Sequence, residues 1–329
     1  MTAAGARDRM RVVVQDRYGP PEVLRIEDRP KPTPGPGQVL IRVKAATVSQ
    51  TDAHIRNAHP AFWRLVLGFR RPRGGILGID LAGIVEDVGP GVREFQPGDE
   101  VFGLIGPWMG SHAEYIVVKA SAPIVRMPSK LTFEEAAAIG DGGAQALATL
   151  RRGKVGAGTR VVIYGASGSL GTAAVQLAEA RGAHVTAVTS TKNIDLVRSL
   201  GANDVIDYTR EALHDRGPIY DVVIDAVGKY AFHWGKRALK PGGIYVETDF
   251  GPHKLETVVM WPLSRWIGGR HLTFAAGARR KDEMQLLKEH VESGAYRPII
   301  DRTYPLDQIV EAHRHVEGWH KVGNVVLTF

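Results

Sequence analysis

The 329 residues carry no cysteine, 38 glycines and a net charge of +7. That length is enough for two domains with separate cores, and without cysteine there are neither disulfides nor thiolate metal ligands. No apolar run reaches the roughly 20 residues that a membrane helix requires, so no membrane association is expected.

Residues 1–9 lack the apolar stretch of a signal peptide and read as a disordered leader. With the absence of cysteine, this leads us to expect a cytoplasmic protein. Residues 10–14 and 39–43 read as short strands on either side of a connector rich in proline and glycine, 30–37. A basic group follows at Arg64, Arg70, Arg71 and Arg73. It reads as a solvated loop rather than a nucleic-acid surface, and it would also attract an anionic cofactor. Further strands are predicted at 82–88, 100–103 and 113–118, with tight turns at Gly89-Pro90-Gly91 and Gln96-Pro97-Gly98-Asp99. The region is therefore all-β and barrel-like, not an alternation of strands and helices. At Thr132 the period changes. Thr132, with Glu135 three residues on, forms a capping box that starts a helix.

Residues 159–193 are the most informative stretch. A buried strand, 161–164, runs into Ala166-Ser167-Gly168-Ser169-Leu170-Gly171, then a helical pattern, then a second apolar run at 184–188. Strand, glycine turn, helix and strand within about thirty residues is the spacing of a dinucleotide-binding unit. Glycines 168 and 171 let backbone amides approach a pyrophosphate and let the helix pack closely on the strand. The helix N-terminus adds the positive end of its dipole. The turn alone is weak evidence, since Ala166 stands where the first glycine of the pattern belongs; the flanking strands supply the strength. An NAD site wants an acid about twenty residues beyond the glycines, on the ribose hydroxyls. Here the second strand ends Thr189-Ser190-Thr191-Lys192-Asn193, with no acid before Asp195. Hydroxyls and a lysine suit a 2′-phosphate, which a carboxylate would repel. NADPH is expected, the alternative being an ordinary polar loop before the next helix.

The remaining pattern is a helix at 196–202 closed by Gly201, a short strand at 205–208 and a buried strand at 221–227 ending in Gly228. A turn at 239–243 leads into a strand at 244–248, and 271–276 reads as a last strand. That alternation predicts a doubly wound parallel sheet in an α/β chain. The helices 282–292 and 307–316 and the strand 325–329 are too few for a domain and are expected to return to the N-terminal barrel. The expected division is a catalytic domain at 1–127, a nucleotide-binding domain at 128–277 and the C-terminal return at 278–329.

Segments along nearly the whole chain resemble the medium-chain dehydrogenase/reductases, in particular their zinc-free quinone and enone reductase-like branch. The resemblance rests on Tyr18-Gly19-Pro20-Pro21-Glu22-Val23-Leu24, Pro34-Gly35-Pro36-Gly37-Gln38-Val39-Leu40, Gly78-Ile79-Asp80-Leu81-Ala82-Gly83 and Gln96-Pro97-Gly98-Asp99-Glu100-Val101-Phe102-Gly103. It continues through Ala113-Glu114-Tyr115, the glycine turn, Gly201-Ala202-Asn203-Asp204-Val205-Ile206-Asp207-Tyr208 and Asp225-Ala226-Val227-Gly228. It implies a GroES-like β-barrel catalytic domain, a Rossmann domain and a cleft for the nicotinamide.

The departures from the family pattern bear on metal. The cysteine, histidine and third ligand of zinc-dependent relatives fall on Ser49, Ile79 and Asp141, and the cysteine-rich zinc lobe is missing. Isoleucine cannot coordinate and a serine hydroxyl is a poor substitute for thiolate, so no zinc is expected. The pairs His54/His59 and His313/His315 fit surface helices or loops at least as well as a metal site. Without a Lewis acid, hydrogen-bond donors must stabilise charge on the substrate oxygen. By motif these are Ser49 and Thr51, with Asp141 as a proton donor, a polar anchor on the helix or the partner of a barrel arginine. Asp52 reads as a residue that orients its neighbours. The resemblance assigns Ser190, Lys192 and Tyr208, with Thr191 between them, to the 2′-phosphate. It assigns Ala226 and Val227 to the adenosine ribose side, and Thr248, Asp249, Phe250 and Ala276 to the nicotinamide end.

The expected function is NADPH-dependent, zinc-independent reduction of a quinone or an α,β-unsaturated carbonyl, with a small apolar substrate and a homodimeric state. Two other readings stand beside it: an NADP-dependent alcohol dehydrogenase or carbonyl reductase, and a nucleotide-binding protein with a structural or RNA-binding role. The loops 57–75 and 250–266, with Phe62, Trp63, Trp261 and Trp266, are expected to line an apolar pocket or a dimer interface.

Overall fold

A computed structural model of the chain describes residues 8–59, 63–72, 75–105, 110–249, 254–264, 269–275 and 280–329. Phe250 and Ala276, expected at the nicotinamide end, and the aromatics Phe62 and Trp266 lie outside the described residues. The chain divides into two compact units. The first comprises residues 1–141, 279–289 and 298–329, and the second comprises 142–278 and 290–297.

The first unit is built from β1 (Arg9–Val14), β2 (Arg25–Pro30), β3 (Gln38–Val48), β4 (Asp80–Val88), β5 (Glu100–Leu104), β6 (Tyr115–Lys119) and β7 (Ile124–Arg126). The second supplies β8 (Arg160–Tyr164), β9 (His184–Thr189), β10 (Asp204–Asp207), β11 (Tyr220–Asp225), β12 (Leu239–Glu247) and β13 (His271–Phe274). The chain then returns to the first with β14 (Ile300–Pro305) and β15 (Asn324–Thr328).

In the first unit the order is β14-β15-β3-β4-β5-β7, with β6 also on β3 and β1 paired with β2 in a separate two-stranded sheet. The long β3 explains this arrangement. Its Val39, Ile41 and Val43 point to one face and pack with Leu81, Val85, Val101 and Ile124, the period of two that a strand imposes. The C-terminal return builds a second core, where Tyr304, Ile309, Val325 and Leu327 meet Val13, Leu24, Val48 and Leu77. The short β2 and β7 were not predicted. Four of the six β2 residues are charged and none is buried, and β7 is three residues long.

The second unit is a parallel sheet in the order β10-β9-β8-β11-β12-β13. Buried on both faces, its strands are near-continuous apolar runs, as in Val161-Val162-Ile163 and Val222-Val223-Ile224. The order reverses between β8 and β11, so the carboxyl ends of those two strands flank the switch point where such sheets bind ligands. One expectation is corrected. Residues 250–266 are not simply a loop, because Lys254–Leu263 is helical with Pro262 inside it, and it leaves Val258, Val259, Trp261 and Leu263 exposed. Among the described residues no helix is long and apolar enough to cross a membrane.

Candidate active site

In the second unit β8 ends at Tyr164 and the chain turns through Gly165, whose φ of 81° is open to glycine at little cost. The amides of Gly165 and Ala166 both donate to Val188 O, at 3.1 and 3.0 Å, and tie the turn to β9. Gly168 is the N-cap of the helix Ser169–Glu179, so no side chain caps that end, and the first turn holds no acid. The two later glycines have different jobs. A Cβ on Gly171 would lie 2.2 Å from Gly165 O and 2.7 Å from Ala166 Cα, whereas one on Gly168 would meet only Gly165 O at 3.7 Å. Gly171 lets helix and strand touch, and Gly168 keeps the space above the turn open. A helix start with no carboxylate, beside that open space, fits a pyrophosphate. The positive φ falls on Gly165, one residue before the Ala166 that the motif reading treated as the missing glycine.

Next to this turn, the ends of β9 and β10 bring Ser190, Thr191, Lys192 and Tyr208 to one edge. Lys192 is exposed, Tyr208 is 54 % exposed, and the Tyr208 amide donates to Thr189 O at 3.1 Å. An acid also belongs to this edge. Asp207, paired with Thr189 in the sheet register, accepts from Thr191 Oγ1, from Thr209 N at 3.0 Å and from Thr209 Oγ1 at 2.7 Å, with Arg210 Nε at 3.5 Å. The Thr191 and Thr209 hydroxyls hold its carboxyl below the ordinary aspartate range. Thr191 is thus engaged by Asp207.

The ends of β11 and β12 form a tightly bonded corner. Buried Asp225 accepts from the amides of Val227 and Gly228 at 3.0 Å and of Tyr230 at 2.7 Å. Burial pushes its carboxyl up to about 6 against those hydrogen bonds. This fixes the loop carrying Ala226 and Val227, and a Cβ on Gly165 would lie 2.5 Å from Val227 Cγ1. Tyr164 stacks on Tyr230 at 4.5 Å between ring centroids. Thr248 spends its hydroxyl on Asp225 O at 2.7 Å, and Gly228 abuts Asp249, whose Cβ would be 2.8 Å from an added methyl. Glu247, 4 % exposed, is pushed up to about 9 by burial and by the charges of Asp225 and Asp249. No sequence signal singled out Glu247, since a strand pattern does not show which of its polar ends will be enclosed.

In the first unit Ser49 is the N-cap of the helix Gln50–Asn57. Its Oγ donates to Asp52 Oδ2 at 2.8 Å, and the Asp52 amide donates back to Ser49 Oγ at 3.2 Å. Asp52 also accepts the Gly78 amide on Oδ1 at 2.9 Å, so the 49–52 and 78–80 segments are brought together by one buried carboxylate. The Ser49 hydroxyl is therefore occupied as a cap, while the hydroxyl of the half-buried Thr51 has no hydrogen-bond partner among the described residues. Ile79 is wholly buried.

Asp141 opens the helix Gly140–Arg152. A Cβ on Gly140 would stand 3.2 Å from Asp80 Cβ, which places Asp141 beside Asp80, a residue the motif reading did not select. Asp80 is 1 % exposed and accepts from Thr47 N at 2.8 Å and from Thr47 Oγ1 at 2.7 Å. Burial, then the charge of Asp141, pushes its carboxyl up to about 8. Lys321 shares the field of Asp141; burial lowers it to about 8, opposed by Asp141 and Asp301. Its Nζ donates to Gly323 O at 2.6 Å. The reading of His313 as a surface residue is corrected, because it is completely buried. Among the described residues no three His, Cys, Asp or Glu side chains are grouped to hold a metal ion.

These two architectures match known proteins. The model of the alcohol dehydrogenase GroES-like domain matches residues 35–129, and that of zinc-binding dehydrogenases matches residues 200–327. The chain belongs to the medium-chain dehydrogenase/reductase family, in its quinone and enone oxidoreductase-like branch, and is an oxidoreductase. It is 33 % identical to the mitochondrial NAD(P)H oxidoreductase RTN4IP1 of Mus musculus, over 95 % of this chain and 88 % of that one. It is 32 % identical to the chloroplastic NADPH-dependent alkenal/one oxidoreductase of Arabidopsis thaliana, over 97 % and 79 %. Among solved structures, the quinone oxidoreductase from Coxiella burnetii superposes with a TM-score of 0.87 at 29 % identity, covering 98 % of this chain and 99 % of that one.

Proposed function

We propose that this chain is an NADPH-dependent, zinc-independent reductase of quinones or α,β-unsaturated carbonyls. The carrying observation is the carboxyl edge of the parallel sheet, where an open, acid-free glycine turn adjoins Ser190, Lys192 and Tyr208. The substrate classes are those in the names of similar proteins. The turn from Gly165 to Gly171, including the Ser167, Ser169 and Leu170 backbone, holds the pyrophosphate. Ala226 and Val227 line the adenosine ribose, and Lys192 and Tyr208 select the 2′-phosphate. Asp207 also lies on that edge, where Thr191 and Thr209 hold its carboxylate in place. When bound, the reduced nicotinamide supplies the hydride.

The chain's own part is to stabilise the oxygen that gains negative charge and to protonate it. Thr51 is the hydroxyl donor, because Ser49 gives its proton to Asp52. Asp141 is the proton donor, resupplied by the neighbouring Asp80, whose carboxyl is pushed up to about 8 by burial and by the charge of Asp141. Zinc independence is supported by Ile79, an apolar core residue in place of a ligand, and by the capping role of Ser49. We also propose a homodimer, supported by the apolar residues left exposed on Lys254–Leu263 beside the edge strand β13; light scattering should give twice the 35.8 kDa chain mass.

The deciding experiment is NADPH oxidation by purified protein offered a quinone, a 2-enal and a saturated aldehyde, with metal content assayed alongside. Turnover of the quinone or the enal without bound zinc is expected. Zinc-dependent turnover confined to the saturated aldehyde would overturn the proposal, and faster use of NADH would overturn the cofactor assignment.

A further inference from the structure

The first unit contains a buried polar chain that the proposed chemistry does not use. Arg56, His112 and His313 are all 0 % exposed. Arg56 Nε donates to Gly19 O at 3.0 Å, its Nη2 pairs with Glu317, and its Nη1 lies 2.9 Å from His313 Nδ1. A guanidinium only donates, so His313 Nδ1 accepts and carries no proton. Burial, with His112 and Arg56 nearby, pushes His313 well below the ordinary histidine range. The ring is neutral, and its one proton is on Nε2.

The facing ring is fixed by the same logic. His112 Nε2 lies 2.9 Å from Thr47 O. A carbonyl only accepts, so that nitrogen carries the proton. A second proton on Nδ1 would add charge to an enclosed space that already holds a guanidinium. His112 Nδ1 is therefore an acceptor and His313 Nε2–H a donor, and neither has a hydrogen-bond partner among the described residues. The rings meet edge-on, with centroids 6.2 Å apart and planes at 82°. Ring nitrogens lie roughly 1.2 Å from their centroids, so even aimed at each other the two remain beyond the ~3.2 Å limit of a direct bond. A bridging molecule that accepts from one nitrogen and donates to the other would satisfy both.

We infer that one structural water is bound between His112 and His313, accepting from His313 Nε2–H and donating to His112 Nδ1. Two polar partners suffice for an internal water. A metal cation does not fit the same place. Coordination through His313 Nε2 would require the proton to move to Nδ1, where the Arg56 N–H group already points. The water closes a chain running from Glu317 through Arg56, His313, His112 and Thr47 to Asp80. That chain ties the helix carrying Ser49 and Thr51 to the end of β3 and to the carboxylate beside Asp141.

The test uses wild-type protein, so no variant needs to fold. Histidine-selective 15N labelling with long-range 1H–15N correlation should show both His112 and His313 as the Nε2–H tautomer at pH 7. A crystal structure at about 1.5 Å should show one water within ~3.2 Å of both nitrogens. A proton on Nδ1 of either ring, direct contact of the two nitrogens, or featureless density between them would overturn the inference, as would a metal peak. None of these readouts depends on which substrate is reduced.

Discussion

The glycine turn makes two substitutions diverge. In Gly171→Ala the new methyl stands 2.2 Å from Gly165 O and 2.7 Å from Ala166 Cα. Ordinary contact begins near 3.4 Å, so the helix must lift from the strand by about 1.2 Å. Overpacking of this kind costs about 1–3 kcal/mol. Because the obstructing atoms are backbone, the upper value applies. At about 2–4 °C per kcal/mol for a domain of this size, the second unit should melt about 6–12 °C lower. In Gly168→Ala the backbone, at φ −78° and ψ 178°, accepts alanine, and the nearest atom is 3.7 Å away. That variant should keep its melting temperature to within about 4 °C, since alanine is only a poorer N-cap. Its methyl nevertheless occupies the space assigned to a phosphate, and the NADPH dissociation constant should rise at least about tenfold, about 1.4 kcal/mol. Differential scanning calorimetry and titration of nicotinamide fluorescence measure the two effects separately. Wild-type NADPH affinity in Gly168→Ala would refute the placement of the pyrophosphate. A wild-type melting temperature in Gly171→Ala would refute the packing argument.

Lys192→Ala should weaken NADPH about fivefold and leave NADH unchanged, since an exposed ion pair contributes about 1 kcal/mol; paired binding isotherms test this. Thr51→Val, which keeps the shape and removes the donor, should lower kcat about a hundredfold or more with a smaller change in KM, read from steady-state kinetics. Asp141→Asn should slow turnover while NADPH affinity stays near wild type, and if both are unchanged the residue is structural. For Asp80, the folded carboxyl near 8 lies above its unfolded value of 3.8, so the native state holds a proton that the unfolded chain releases. Stability should therefore fall as pH rises from about 4 to 8, by up to about 1.4 kcal/mol per pH unit for this one group. Asp80→Asn, which keeps an acceptor for Thr47, should remove that slope, and chemical denaturation at pH 5, 6, 7 and 8 checks it.

Much of the parallel sheet was legible because its strands are buried on both faces and read as unbroken apolar runs. Val161-Val162-Ile163 and Val222-Val223-Ile224 leave little else to be. The strands β2 and β7 were not legible for the opposite reason. β2 is mostly charged and has no buried residue, and β7 owes its three residues to pairing with β5. The helix Lys254–Leu263 was hidden by Pro262 and by apolar residues that face outward, which blur a 3.6-residue period.

The site divides along the same line between what is local and what is assembled. A glycine turn is a local object, so its span could be read directly, and the structure adds that its positive φ lies at Gly165. The selectivity argument from a missing acid was local too, and it did not see Asp207, which reaches the same sheet edge from the neighbouring strand. Whether an acid belongs to that edge depends on sheet register, and β9 and β10 pair only after the chain has passed through a helix. Asp80 shows the same gap. It lies one residue from the Ile79 that motif comparison singles out, yet its carboxyl is raised by burial and by the charge of Asp141, far downstream, against hydrogen bonds from Thr47, 33 residues earlier. A carboxylate is perturbed by what is folded against it. Residue spacing can therefore nominate the groups that touch a ligand, while the groups that set their charge become visible only with the fold.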